Sequence, residues 1–130
     1  MADWDWSRIV LDHVKIGVRD ADASKRFYAT VLAQLGIPAL WESGEGAQYA
    51  NLVVSATADT TAPLHIGFVA RSRDEVDAFH QAGLDAGFQD NGGPGVREHC
   101  SSEVAGLYYA AFLLDPDGNN IEAVYRAALS

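Results

Sequence analysis

The chain of 130 residues carries 9 basic against 18 acidic side chains, a formal net charge of -9, and 48% of its residues are hydrophobic. That length suits one compact domain or two small fused modules, and the acidic balance, with no basic stripe of interleaved aromatics, argues against a nucleic-acid partner. The lone cysteine, Cys100, has no partner for an internal disulfide, no apolar run approaches the roughly 20 residues of a membrane span, and the opening MADWDWSR lacks the build of a secretory leader, so a soluble cytoplasmic protein with no membrane partner is expected.

Met1 to Ser7 places Trp4 and Trp6 among aspartates, and tryptophans of this kind are expected to pack onto the body or a second subunit. Arg8 to Val18 is strand-like, with Val10, Val14, Ile16 and Val18 facing one way and Leu11, His13 and Lys15 the other. Asp20 or Asp22 then caps a helix to about Leu35, in which Phe27, Val31, Leu32 and Leu35 recur at helical spacing before Gly36 ends it. Pro38 to about Ser55 holds three short strands broken at Ser43 to Gly46 and near Asn51, and the small, polar stretch from Ala56 to Pro63 reads as a linker. The pattern restarts at Leu64, where Leu64, Ile66 and Phe68 alternate with His65 and Gly67, and a helix from about Ser72 to Ala86 closes at Gly87. Phe88 to Gly95 reads as a glycine-rich loop, Val96 to Cys100 as a strand, and Leu107 to Arg126 as a hairpin turning at Asp115-Pro116-Asp117-Gly118.

Shifting the first half by 52 positions, the spacing from His13 to His65, aligns His13 with His65, Arg19 with Arg71, Asp22 with Asp74, Phe27 with Phe79 and Leu32 with Leu84. One strand, one helix and about three strands are therefore written twice. The expected fold is α+β: two βαβββ modules whose sheets form a half-open barrel around a central pocket. Module bounds of 9–56 and 64–126 follow, with an extension at 1–8, a linker at 57–63 and a tail at 127–130.

In the hairpin's second strand Glu122 lies between apolar neighbours, and a carboxylate facing into a sheet is costly unless a cation meets it. His13 and His65 hold repeat-related places on first strands, so two imidazoles and a carboxylate can converge as a facial ligand set. Such a set suits one divalent ion, iron, zinc, nickel or manganese, and leaves positions open for substrate. The alternative is a metal-free ion pair between Glu122 and Lys15.

His13 in LDHV, the helix ADASKRFYATVL, His65 in PLHIGF and Glu122 in FLLDPDGNNIEAV resemble the vicinal oxygen chelate superfamily, which includes glyoxalase I, extradiol dioxygenases, methylmalonyl-CoA epimerase and bleomycin or fosfomycin resistance proteins. The resemblance covers Ile9 to Arg126. It implies paired βαβββ modules around a metal, usually in a homodimer, with the ligand places on His13, His65 and Glu122. Two departures bear on the reaction. Glyoxalase I takes a fourth ligand, generally glutamate, from the last strand of the first module, and here that strand, NLVVS, has no acid. Extradiol dioxygenases place a tyrosine four residues before the hairpin proline, where this chain has Phe112.

Other groups can serve the pocket. Arg97 and His99 share parity, so both line the cavity or neither does; Arg97 would hold a carboxylate or enolate oxygen and His99 would act as acid or base, against an ion pair of Arg97 with Glu98 or Glu103 and plain exposure of His99. Tyr108 and Phe112 share parity too and are candidate substrate contacts; Lys15 joins His99 as a candidate catalytic group. The expected activity is that of a glyoxalase-like enzyme, a lyase, isomerase or dioxygenase, binding a small substrate through vicinal oxygens and stabilising an enolate-type or ring-cleavage intermediate. The alternative is a small-molecule binding protein of the bleomycin-resistance type.

Overall fold

The structure, a computed structural model, describes residues 3–98, 101 and 106–127. In order the elements are β1 (Val14–Val18), α1 (Ala21–Ala33), β2 (Ala39–Ser43), β3 (Gly46–Tyr49), β4 (Leu52–Ala56), β5 (His65–Val69), α2 (Arg73–Asp85), β6 (Gln89–Val96), β7 (Leu107–Leu114) and β8 (Asn120–Ala127). The βαβββ unit is thus present twice. Each forms a four-stranded sheet, ordered β1-β4-β3-β2 and β5-β8-β7-β6, whose first strand runs parallel to its last. The two sheets share no ladder, so no closed barrel forms. No helix among the described residues is long and apolar enough to cross a membrane.

The helices keep the 52-residue offset, as do their caps: the Asp20 carboxylate accepts from the Ala23 amide at 3.1 Å, and the Ser72 hydroxyl accepts from the Glu75 amide at 3.1 Å. Phe27 and Phe79 are both fully buried, but Leu32 is buried where its counterpart Leu84 is exposed. On α2 it is Gly83, one residue earlier, that packs inward against Leu113. Neither helix carries a base in its last turn, and Arg26 of α1 supplies one across the molecule, donating to the Ala86 carbonyl at 2.6 Å. Phe27 meets Phe88 at 4.9 Å beside it. Both helices therefore press on one interior, where Ile16, Val18, Val54, Val31, Phe79, Leu113 and Ile121 join a single cluster.

The DPDGN turn fastens the second module to the first. Asp115, 4% exposed, accepts from the Asp117 and Asn119 amides, both at 2.9 Å, from Asn119 Nδ2 at 3.0 Å and from the Tyr28 hydroxyl of α1 at 2.5 Å. Burial, then the negative charge of Asp115, pushes the Tyr28 phenol far above its ordinary range. Asn119 accepts from the Leu64 amide at 2.9 Å, which locks the start of β5 against β8 and sets Gly67 opposite Glu122. Arg19, after β1, donates to the Pro116 carbonyl.

Two strand expectations need correction. The glycine-rich stretch read as a loop is β6, and the strand expected at Val96 to Cys100 ends at Val96. Pairing with β7 outweighs its weak strand propensity, at the cost of register shifts on either side of Gly92, whose φ of 144° only glycine adopts easily. The first strand is also shorter than Arg8 to Val18: only Val14–Val18 finds a partner, β4, and residues 9 to 13 run outside the sheet.

Candidate functional site

Alternation along β8 sends Ile121 and Ala123 to the helix-covered core and Glu122, Val124 and Arg126 to the opposite face. Glu122 is 2% exposed there, and its two carboxylate oxygens are taken separately. Oε1 lies 2.7 Å from Nε2 of His65, which stands diagonally across the parallel β5–β8 pair, and Oε2 accepts from the hydroxyl of Tyr108 on β7. An ionised carboxylate only accepts, so Nε2 of His65 carries the proton in this contact. A cation seated here would take that proton's place, with the imidazole and carboxylate as its first two donors, and donor atoms of this kind and spacing fit a divalent ion.

His65, Tyr108 and Glu122 form the polar part of a pocket of about 540 Å³, walled by Gly67, Val69, Ala70, Val124 and Tyr125 and closed on one side by Trp6 and Arg126. Phe112 and Arg97 flank this pocket without lining it. The Phe112 ring lies 6.1 Å from His65, and Arg97 folds over that ring at 5.3 Å while donating to the Gly93 carbonyl at 2.7 Å. Arg97 thus does not pair with Glu98, and its guanidinium is engaged beside the pocket by Phe112 and Gly93. His99, Cys100 and Glu103 lie outside the described residues.

His13 is elsewhere. It precedes β1 on the same face as Lys15, with a side chain 59% exposed and Nδ1 2.6 Å from Oδ1 of Asp12. It lines neither this pocket nor the apolar cleft of about 560 Å³ between Ile9, Leu11, Leu52, Ile66 and Phe68. Among the described residues no three His, Cys, Asp or Glu side chains stand close enough to hold a metal ion. The expected convergence of three ligands in one copy is therefore reduced to two, since His13 stands just before β1, outside its sheet, and does not line the pocket of His65 and Glu122. Lys15 is exposed, and its side chain pairs with no described residue, so the Glu122–Lys15 ion pair is not formed either.

Trp6, expected only to pack onto the body or a second subunit, and Arg126, which the sequence did not single out, are pocket residues. Parity with Glu122 was a usable sign for Arg126; nothing local shows that the N-terminal arm folds back to bring Trp6 over it. A further histidine–carboxylate pair, His80 of α2 with Asp90 of β6 at 2.8 Å, sits away from the pocket. The Gly92 amide and then His80 hold the Asp90 carboxyl below its usual range, as suits a pair that ties helix to strand.

Residues 10–123 match the family model described as the glyoxalase/bleomycin resistance protein/dioxygenase superfamily. No curated protein matches the sequence. Among solved structures, a glyoxalase/bleomycin resistance protein from Albidiferax ferrireducens T118 is 32% identical with a TM-score of 0.73, covering 89% of this chain and 98% of its own. Lactoylglutathione lyase from Agrobacterium tumefaciens (16% identity, TM-score 0.64, covering 90% and 92%) and the oxidase ChaP-H2 (20%, 0.64, covering 94% and 97%) share the fold. With its duplicated βαβββ architecture and a family match through nearly its whole length, this chain belongs to the glyoxalase/bleomycin resistance protein/dioxygenase superfamily.

Proposed function

We propose that the chain is a metal-dependent enzyme acting on a small substrate held through two adjacent oxygens, and that its site is completed in a homodimer: His65 and Glu122 from one copy, His13 from a second. The observation that carries this reading is the His65–Glu122 pair, 2.7 Å apart on a buried carboxylate that faces an open pocket. Among the described residues the set lacks a third donor within one copy, and His13 has the form of one. Its Nδ1 is engaged by Asp12, which leaves Nε2 outward with its lone pair, the arrangement in which an imidazole is held for a metal. Ile9, Val10 and Leu11, beside His13, are 80%, 64% and 64% exposed, and Val69 at the pocket wall is 76% exposed, apolar surface that a second copy would cover.

A bound divalent ion would supply polarisation of the two substrate oxygens. The protein's own part is positioning. Tyr108 holds Oε2 of Glu122, so that Oε1 alone is presented beside His65. Val69, Ala70 and Val124 give one side of the pocket an apolar wall. Lys15, exposed two residues beyond His13, would arrive with it from the second copy as a proton-handling group; His99 is the other candidate acid or base. Proton transfer or bond cleavage next to the bound oxygens is the reaction class that this set supports.

A second reading, sequestration of a small molecule without turnover, is favoured by one fact: both oxygens of Glu122 are already satisfied by protein groups. Metal analysis of untagged protein separates the two. One equivalent of metal per chain, lost in His13→Ala and in Glu122→Gln, supports the enzyme. Mixing the two variants tests the shared site, since a mixed dimer regains one intact set and about one quarter of all sites should refill. No refilling means that the ligands come from one chain, and metal-free wild-type protein that binds an aromatic ligand supports sequestration.

A further inference from the structure

The rim of the pocket contains an arginine placed for a ligand. Arg126 lies on β8 four residues beyond Glu122 and on the same face. Its guanidinium carbon is 4.7 Å from the Tyr108 ring and 5.0 Å from the Trp6 ring, and all three residues line the pocket that holds His65 and Glu122. Among the described residues no carboxylate pairs with it and no acceptor takes a hydrogen bond from its guanidinium, in a chain with 18 acidic side chains against 9 basic ones. Arg19, Arg26, Arg71 and Arg97 each have such an acceptor. Arg8 and Arg73 lack one, but each stacks on a single ring and neither lines the pocket.

Two aromatic rings hold the guanidinium by cation–π attraction without taking a conventional acceptor's place on its N–H fork, and they limit the conformations it must give up on binding. That fork matches a planar two-oxygen anion. The buried carboxylate of Glu122 further along the pocket disfavours a doubly charged phosphate, and the walls of Val69, Ala70, Val124 and Tyr125 suit an apolar planar body. Tyr108 measures the gap between the two ends: its ring face meets Arg126 and its hydroxyl meets Glu122. We propose that this pocket takes a small monocarboxylic acid with an unsaturated or aromatic body, its carboxylate held by Arg126 between Trp6 and Tyr108 and its paired oxygens at the His65–Glu122 end. The assignment rests on the proposed function only in taking this pocket as the substrate site; carboxylate capture itself requires no metal.

The test is calorimetric titration of the metal-free full chain with 3,4-dihydroxybenzoate and with 3,4-dihydroxybenzamide, its neutral counterpart. Wild-type protein should bind the acid about tenfold or more tightly than the amide, the range expected of a charge-assisted pair. Arg126→Gln should abolish the preference while binding the amide unchanged, and Trp6→Ala should weaken the acid severalfold. Equal affinity for acid and amide in the wild type, a comparison that needs no variant, overturns the proposal, as does a preference that persists in Arg126→Gln. Tighter binding of phenyl phosphate than of benzoate overturns the choice of carboxylate. Zinc uptake by equilibrium dialysis is measured alongside: wild-type protein that takes no zinc but keeps the acid preference sinks the metal reading and leaves this subsite standing.

Discussion

Removing the Asp115 carboxylate should cost the protein a large part of its stability. The side chain accepts four hydrogen bonds: two from turn amides at 2.9 Å, one from Asn119 Nδ2 at 3.0 Å and one from Tyr28 at 2.5 Å. In Asp115→Ala the part-buried Asp117 amide regains water, but the Tyr28 hydroxyl and both Asn119 donors, its backbone N–H and its side-chain NH₂, are fully buried and do not. At about 1.5–3 kcal/mol for each hydrogen bond to a charged acceptor, the three that stay unmet amount to roughly 4.5–9 kcal/mol. Total stability for a domain of this kind is about 5–15 kcal/mol, so the variant sits near the edge of folding. Asp115→Asn keeps the shape and can still accept from the amides, but it turns an NH₂ toward the Asn119 NH₂, for a loss of about 2 kcal/mol. Urea unfolding at pH 7, followed by the shift in midpoint, reads both values. An Asp115→Ala variant within about 1 kcal/mol of wild type would refute the reasoning, because it would mean that water already reaches the turn's interior.

Gly83→Ala pits helix propensity, a gain of about 1 kcal/mol, against a Cβ that would sit 2.4 Å from Cδ1 of the fully buried Leu113; overpacking of about 1–3 kcal/mol should win, and a raised melting temperature would show that Leu113 can yield. Tyr28 keeps its proton when folded but ionises from its ordinary value of 10.0 when unfolded, so its contribution is intact below pH 10 and shrinks as pH rises above it, by up to about 1.4 kcal/mol per pH unit. Tyr49, pushed up to about 12 by burial and then by Glu42, acts in the same direction. Urea unfolding at pH 8, 10 and 11 should show this alkaline decline, and Tyr28→Phe should flatten it; an equal slope in the variant rules Tyr28 out as its source.

Helices, turn and duplication were legible in the sequence because each is written locally: Phe27, Val31 and Leu32 at helical spacing, Asp20 or Asp22 as a cap, Ser72 as the start of the second helix, Asp115 to Gly118 as turn formers. The second-module strand of glycines was not, since Gly92 and Gly95 have no strand preference of their own and are held only by β7. Parity along β8 and β5 correctly set Glu122 and His65 on one face. Parity could not tell that His13, which falls just outside β1, would be left apart from them, because that depends on where the strand finds its partner. Trp6 over Arg126 is likewise a contact between chain ends, visible only in three dimensions.

The Arg26–Ala86 and Phe27–Phe88 contacts carry a consequence for how the molecule comes apart. Because α1 and α2 share one interior, neither half has a hydrophobic face complete without the other, and the linker joins two incomplete bodies. Melting is then a single cooperative event in spite of the repeat, with no stage at which one half stands while the other dissolves.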